Sequence, residues 1–376
     1  MIGYSQPYTL LYLFYLFLGF FEIKNPKNKY KIQYIECIVC ILFWGLRGYI
    51  GSDWLSYTSY YDNLSHTFFN NELNYEPGFV AITGIIKLLG CTYFEWQLLI
   101  VVIQFIIFHN FFKKKVQYMF IAYIVLFSSF PLLIIDTIRN FTSLLIGLWA
   151  LEYWKLNRKL LSIFFIILSI LFHTSGIVFF ILLPLSKSYI NKKIIILLFS
   201  IGIIIYLLRI SYIRPIINML GQVLGGKYSA LATLYLNWDV ASASYGITLG
   251  IIEKIFFFII VLYKYDHIKK NKIFDCYIFN TFILYILSNL YFTEMTILIN
   301  RVAVLFFWGY IVVISNLPIL FNIKANKYLI FCIIISLVFF KIISSYNDII
   351  YNYKNVIFSK ENIMERSDNL KLHYDN

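Results

Sequence analysis

Apolar residues run along this chain in nearly unbroken stretches. They fall at 8–21, 34–46, 78–90, 94–112, 117–135, 140–154, 160–172, 176–186, 194–211, 247–263, 274–290, 299–320 and 328–345. Runs such as Ile163–Phe172 and Ile194–Leu208 lack the period-two alternation of a membrane barrel strand. Helices satisfy their own backbone polar groups in lipid, so this pattern reads as membrane helices. At roughly 20 residues per span, it predicts an all-α polytopic integral membrane protein with about 12 transmembrane crossings. The crossings form a single integral membrane domain over residues 1–345, with outer loops at 47–77 and 212–247 and a polar C-terminal tail at 346–376.

Two places break the rhythm. Residues 78–112 must cross an odd number of times to keep the alternation of sides, so 78–90 is predicted as a short helix that does not span. Residues 160–186 begin and end on basic loops but are too short for two full crossings. They read as a hairpin of half-membrane helices that turns at His173-Thr174-Ser175-Gly176. Interrupted helices are tolerated in a membrane where they line a polar cavity, which already points to a site.

Composition strengthens the membrane reading. The 376 residues are 60% hydrophobic and only 14% charged, which excludes a water-soluble enzyme, a disordered chain or a coiled coil. The net charge is +13, from 32 Lys and Arg against 19 Asp and Glu. Six stretches, 22–32, 113–115, 155–159, 187–193, 264–272 and 322–327, together carry +17. Segment 47–77 carries −3, through Asp53, Asp62, Glu72 and Glu76 against Arg47. Segment 212–247, with Asp239, and the tail are close to neutral. Positive charge collects on cytoplasmic loops, so the basic stretches are assigned inside and no nucleic acid is implied. The first basic residue, Lys24, follows the first apolar run, which predicts an uncleaved first span with its N-terminus outside. Cys37 and Cys40 form a CxxC inside an apolar run with no second pair, so neither metal nor cofactor is expected.

Ionisable groups at membrane depth are costly and are functional candidates by default. Most of them fall at the outer ends of the spans. Gly45–Asp62 holds Arg47, Gly48, Gly51, Asp53, Trp54, Tyr57, Tyr60 and Tyr61. Its aromatics read either as an interfacial belt or as a platform for sugar faces. Glu76 precedes Pro77, which marks a helix start. Arg139 and Asn300-Arg301 open apolar helices, and His173 sits at the hairpin tip. Arg47, Arg139 and Arg301 at outer helix starts suit a diphosphate, because the guanidinium fork stays charged and binds bidentately. A snorkelling arginine is the plainer alternative. The GxxxG at Gly246–Gly250 reads as helix packing. His173, Asp53 and Glu76 are the candidate catalytic residues, in that order. Trp54, Tyr57 and Tyr75 are the candidate sugar binders.

These residues carry a resemblance. Arg47-Gly48, Gly51, Asp53-Trp54 and Tyr57 match R-G-x-x-G-x-D-W-x-x-Y, and Tyr75-Glu76-Pro77-Gly78-Phe79 follows. Ile138-Arg139-Asn140, Phe172-His173-Thr174-Ser175 and Asn300-Arg301 come after in order. The set resembles the EpsG-like branch of the Wzy polysaccharide polymerases, with Asn140 where that family usually has Gln and Gly176 where it has Ala. The resemblance implies a GT-C-like membrane architecture in the bacterial inner (cytoplasmic) membrane, with its site facing outside. It implies a metal-independent glycosyltransferase that moves a growing chain from undecaprenyl diphosphate to the non-reducing end of the next lipid-linked repeat unit. The implied partners are the undecaprenyl-diphosphate-linked donor and acceptor, the bilayer and a chain-length regulator. An O-antigen ligase and a flippase of the same lipid-linked unit are the alternatives. A surface acyltransferase would need a cytoplasmic His, for which His109 is the one hint.

Overall fold

A computed structural model describes residues 3–64, 75–237, 248–295, 299, 301–359 and 361–374. Glu72, Asn74, Asp239, Gly246 and Asn300 lie outside the described residues, and so do parts of both expected outer loops. The helices are α1 (Gln6–Lys24), α2 (Lys29–Gly45), α3 (Trp54–Asn63), α4 (Pro77–Leu88) and α5 (Tyr93–Phe112). Then come α6 (Met119–Ser129), α7 (Pro131–Ile135), α8 (Ile138–Lys155), α9 (Lys159–Phe172) and α10 (Val178–Leu185). They are followed by α11 (Lys192–Leu208), α12 (Ile213–Leu224), α13 (Gly226–Asn237), α14 (Leu249–Tyr263), α15 (Tyr265–Asn271) and α16 (Cys276–Tyr291). The last three are α17 (Ala303–Leu320), α18 (Lys324–Ser345) and α19 (Ile363–Tyr374). Two compact units result, one of Met1–Leu183 with Ile314–Asn376 and one of Pro184–Val313.

The chain is an all-helical membrane protein, but its helices are shorter than its apolar runs. Among the described residues α5, α17 and α18 are long and apolar enough to cross a membrane, and α11 with α12 make a fourth span if counted as one. Five other apolar helices have 10–17 residues. Helix length alone therefore supports fewer full crossings than the dozen expected. The cause lies in the breaks. The run 117–135 is cut at Phe130-Pro131, because proline carries no N–H to continue a helix. The run 194–211 ends at Arg209 in the left-handed conformation, and α12 then leaves at 94° to α11. Its Ile216, Met219, Leu220 and Val223 are exposed, which suits a helix lying along a membrane interface. The 12 residues of α4 span about 18 Å at 1.5 Å each, too little for a hydrocarbon core of about 30 Å.

Charge separates along the first unit. There Lys29 Nζ donates to the Gln117 carbonyl at 2.7 Å, and Lys115 pairs with Glu152 at 2.6 Å. These contacts gather three basic stretches around the C-terminal end of α5. At the N-terminal end of α5, Gln97 Nε2 donates to the Arg47 carbonyl at 2.7 Å, which fixes the acidic, aromatic segment there. In the second unit Lys192 meets Asp266 at 2.8 Å and so joins two more basic stretches.

Candidate functional site

The segment after α2 is held from two directions. The first is the C-terminal segment, which folds back instead of trailing away. Gly48 N–H donates to the Lys354 carbonyl (2.7 Å), Gly51 N–H to Ile350 (2.8 Å) and Val356 N–H to Leu46 (2.9 Å). Arg366 is fully buried, and its Nη2 donates to the Ile349 carbonyl at 2.9 Å. The second is Asp136, 3% exposed between α7 and α8. It accepts from the Ser52 N–H (3.0 Å), the Ser52 hydroxyl (2.7 Å) and the Asp53 N–H (3.3 Å). Burial pushes its carboxyl above the usual range, and the Ser52 bonds only partly offset that. Gly51 makes the approach possible. Its φ is +90°, and a Cβ there would lie 2.0 Å from Asp136 Oδ1.

Arg47 belongs to this scaffold. It is 1% exposed. Its guanidinium donates to the Trp44 carbonyl and, at 3.4 Å, to the Ile135 carbonyl. Those bonds tie the end of α2 to the end of α7. They direct the guanidinium to backbone oxygen.

Arg139 is placed differently. It stands in the first turn of α8, half-buried, and pairs with Glu76 ahead of α4. Its guanidinium lies 4.2 Å from the centre of the Tyr75 ring and 5.9 Å from that of Phe79. The Tyr57 hydroxyl interacts with it as well. Glu76 uses its other oxygen, Oε1, to accept from the Thr174 N–H at 3.3 Å. One carboxylate thus links the start of α8 to the tip of the α9–α10 hairpin. Gly78 permits this, since a Cβ there would come within 2.8 Å of the Leu171 carbonyl.

At that tip the chain leaves α9 at His173, which is extended (ψ 137°), and enters a 3₁₀ turn over Thr174–Ile177. His173 Nδ1 accepts from the Ser175 N–H at 3.2 Å and sits 2.8 Å from Ser175 Oγ. Ser175 Oγ is also 2.7 Å from Asn140 Oδ1. The hairpin packs on α8 through Ser143 and Ser169, whose hydroxyls are 2.9 Å apart. Asn140, Arg139, Glu76, Tyr75, His173 and Ser175 therefore form one connected group in the first unit.

The other candidates are spread around it. Asp53 is exposed at the start of α3, within electrostatic reach of Tyr57 and Tyr75. Trp54 and Tyr57 are 6% and 5% exposed, and they join Tyr60, Tyr61, Phe79 and Trp96 in an aromatic core. Of the three expected sugar binders only Tyr75 is half-buried, and its ring faces the arginine. Arg301 is an exposed residue of the second unit. In that unit Glu294 accepts from the Ser211 hydroxyl and from the N–H groups of Tyr212 (2.9 Å), Ile213 (2.6 Å) and Arg214 (3.1 Å). Burial opposes its ionisation, but these donors outweigh burial and hold the carboxyl below its usual range. No group of three or more His, Cys, Asp or Glu side chains is placed to hold a metal ion among the described residues.

Asp136, Asn140 and Ser175 carry contacts here without a role assigned from the sequence, although Asp136 is one of its few ionisable groups near membrane depth and Asn140 and Ser175 stand in the matched motifs. Each sits within three residues of a candidate. A polar side chain so close to Arg139 or His173 in an otherwise apolar run was the available signal.

No curated protein and no solved structure matches the chain. The EpsG family model matches it over residues 31–355, which takes in every residue of the connected group. The chain belongs to the EpsG family.

Proposed function

We propose that this membrane protein is a polysaccharide polymerase. It transfers a growing chain from undecaprenyl diphosphate to the non-reducing end of the next lipid-linked repeat unit, at the outer face of the cytoplasmic membrane. The observation that carries the reading is the Arg139–Glu76–His173 group, built at two breaks in apolar helices of an EpsG-family chain. A cation stacked on an aromatic ring beside carboxylates and an imidazole suits a sugar joined to a diphosphate. The arginine meets the anion, while carboxylates and rings meet hydroxyls and sugar faces.

In the proposed step an acceptor hydroxyl oxygen attacks the anomeric carbon of the donor. A carbon–oxygen bond forms there as the bond from that carbon to the diphosphate oxygen breaks. Undecaprenyl diphosphate leaves with the bonding pair, and the hydroxyl proton passes to a side-chain base. Fixed positive charge near the leaving oxygens lowers the barrier, because negative charge builds on them only as the bond breaks. The step as written needs no metal. The test uses the purified protein in liposomes supplied with undecaprenyl-diphosphate-linked repeat units and nothing else. A ladder of lengthening glycans is expected. Transfer only after lipid A core is added would make the protein a ligase. Movement of the unit across the bilayer without chain growth would make it a flippase.

A further inference from the structure

We propose that His173 acts as a hydrogen-bond donor through Nε2 and is not the base. The proposal rests on the polymerase reading and assigns a role within the same site. One hydrogen at this tip has no choice of role. The Ser175 backbone N–H can only donate, and it lies 3.2 Å from His173 Nδ1. Nδ1 therefore keeps its lone pair. In a neutral imidazole one nitrogen is a donor and the other an acceptor, so the ring proton is on Nε2.

The neighbouring hydroxyl supports this assignment. Ser175 Oγ has one proton and two close partners, Nδ1 at 2.8 Å and the Asn140 side-chain amide at 2.7 Å. If that proton went to Asn140, the lone pairs of Nδ1 and Oγ would face each other at 2.8 Å with no proton between them. The consistent arrangement turns the Asn140 amide so that its NH₂ donates to Ser175 Oγ. The hydroxyl then donates to Nδ1; an amide's oxygen and nitrogen are close in size, so the network decides which of them faces Ser175 Oγ. Asn140, Ser175 and His173 thus form a relay of fixed direction that ends in an Nε2–H.

An Nε2–H cannot take a proton from a sugar hydroxyl. It suits an anionic oxygen, and the diphosphate of the lipid-linked donor is the anion of this reaction. The same hairpin tip is tied to Arg139 through Glu76, so a second donor stands on the structure that fixes the cation. Glu76 is already engaged by Arg139 and Thr174.

The test reads the tautomer directly. Protein labelled with ¹⁵N-histidine and held in lipid nanodiscs gives ring-nitrogen resonances, and the set lost in His173→Ala identifies this residue. A proton on Nε2 at neutral pH is expected, and a proton on Nδ1 overturns the proposal. Ser175→Ala removes the hydroxyl but keeps the backbone N–H, so the proton should stay on Nε2, and its movement to Nδ1 would also overturn the proposal. In the polymer assay a glutamine amide reaches about where Nε2–H stands but cannot act as a base. His173→Gln should stay within about tenfold of wild type, while His173→Ala loses a hundredfold or more. A folded His173→Gln protein as inactive as His173→Ala refutes the donor role. A wild-type protein that makes no polymer defeats the polymerase reading instead, and the tautomer result is unaffected by it.

Discussion

Arg139 and Glu76 offer a direct measurement of how the site is held. Their side chains are 23% and 13% exposed, so the pair lies between a surface ion pair, worth about 0–1 kcal/mol, and a buried one, whose breaking costs about 3–5 kcal/mol. Both are mostly covered, and Arg139→Gln leaves the Glu76 carboxylate in a half-dry place with only Thr174 to satisfy it. That loss should be about 2–3 kcal/mol. The lost stacking on Tyr75, 4.2 Å away, adds about 1 kcal/mol. Glu76→Gln strands the cation in the same way. The double variant removes both charges at once and should cost clearly less than the two singles together. The expected coupling is about 2 kcal/mol, within the range for residues in direct contact. Reversible unfolding in mixed detergent–denaturant micelles, followed by tryptophan fluorescence, measures all four corners of the cycle. A coupling below about 0.5 kcal/mol would mean the pair behaves as a screened surface contact. Glu76 would then not be what positions the guanidinium. Activity supplies an independent arm. Arg139→Lys keeps the charge but not the fork, so polymer formation should fall about a hundred- to a thousandfold.

Three further outcomes follow from the same geometry. Gly51→Ala forces a Cβ to within 2.0 Å of Asp136 Oδ1 at a φ of +90°. It should cost about 3 kcal/mol, through overpacking and backbone strain together, read as a lowered melting temperature in detergent. Glu294 has a depressed carboxyl pKa in the folded chain, so its stabilising contribution is complete above the unfolded carboxylate value of about 4.3 and is lost as pH falls through the folded value. Acid unfolding curves should show that loss in the wild type and not in Glu294→Gln, and identical curves would remove the linkage. Cysteines placed at the exposed Asn63 and Asn271 should label from opposite sides of the membrane, and labelling of both from one side would refute the charge-based orientation.

Much of the architecture was legible because the relevant signals are local. The hairpin could be located from loop charge and run length alone, and the chain does break at His173 between α9 and α10. Likewise 78–90 lies in a short helix behind Pro77. The number of full crossings was not legible, because apolar runs do not announce where a helix bends. Phe130-Pro131 and Arg209 each interrupt a stretch whose hydropathy continues past them. The tail was read as merely polar. Its backbone contacts to Leu46, Gly48 and Gly51 join residues some 300 positions apart, and pairing at that distance leaves no local pattern.

The three arginines show where sequence reading runs out in physical terms. Arg47, Arg139 and Arg301 share a position at the end of an apolar run, and residue type and spacing treat them alike. What separates Arg47 from Arg139 is the set of acceptors the fold delivers to each. Arg47 receives backbone carbonyls from Trp44 and Ile135, neutral partners that suit a cation sealed at 1% exposure. Arg139 receives a carboxylate 63 residues earlier in the chain and an aromatic face beside it, and it keeps part of its surface open. The carbonyls pin the first between the ends of α2 and α7. A carboxylate partner at a partly open site can be exchanged for another anion. That exchange would free Glu76 Oε2 while Oε1 still holds the Thr174 N–H. Arrival of a diphosphate at Arg139 would then be felt one hydrogen bond away from His173.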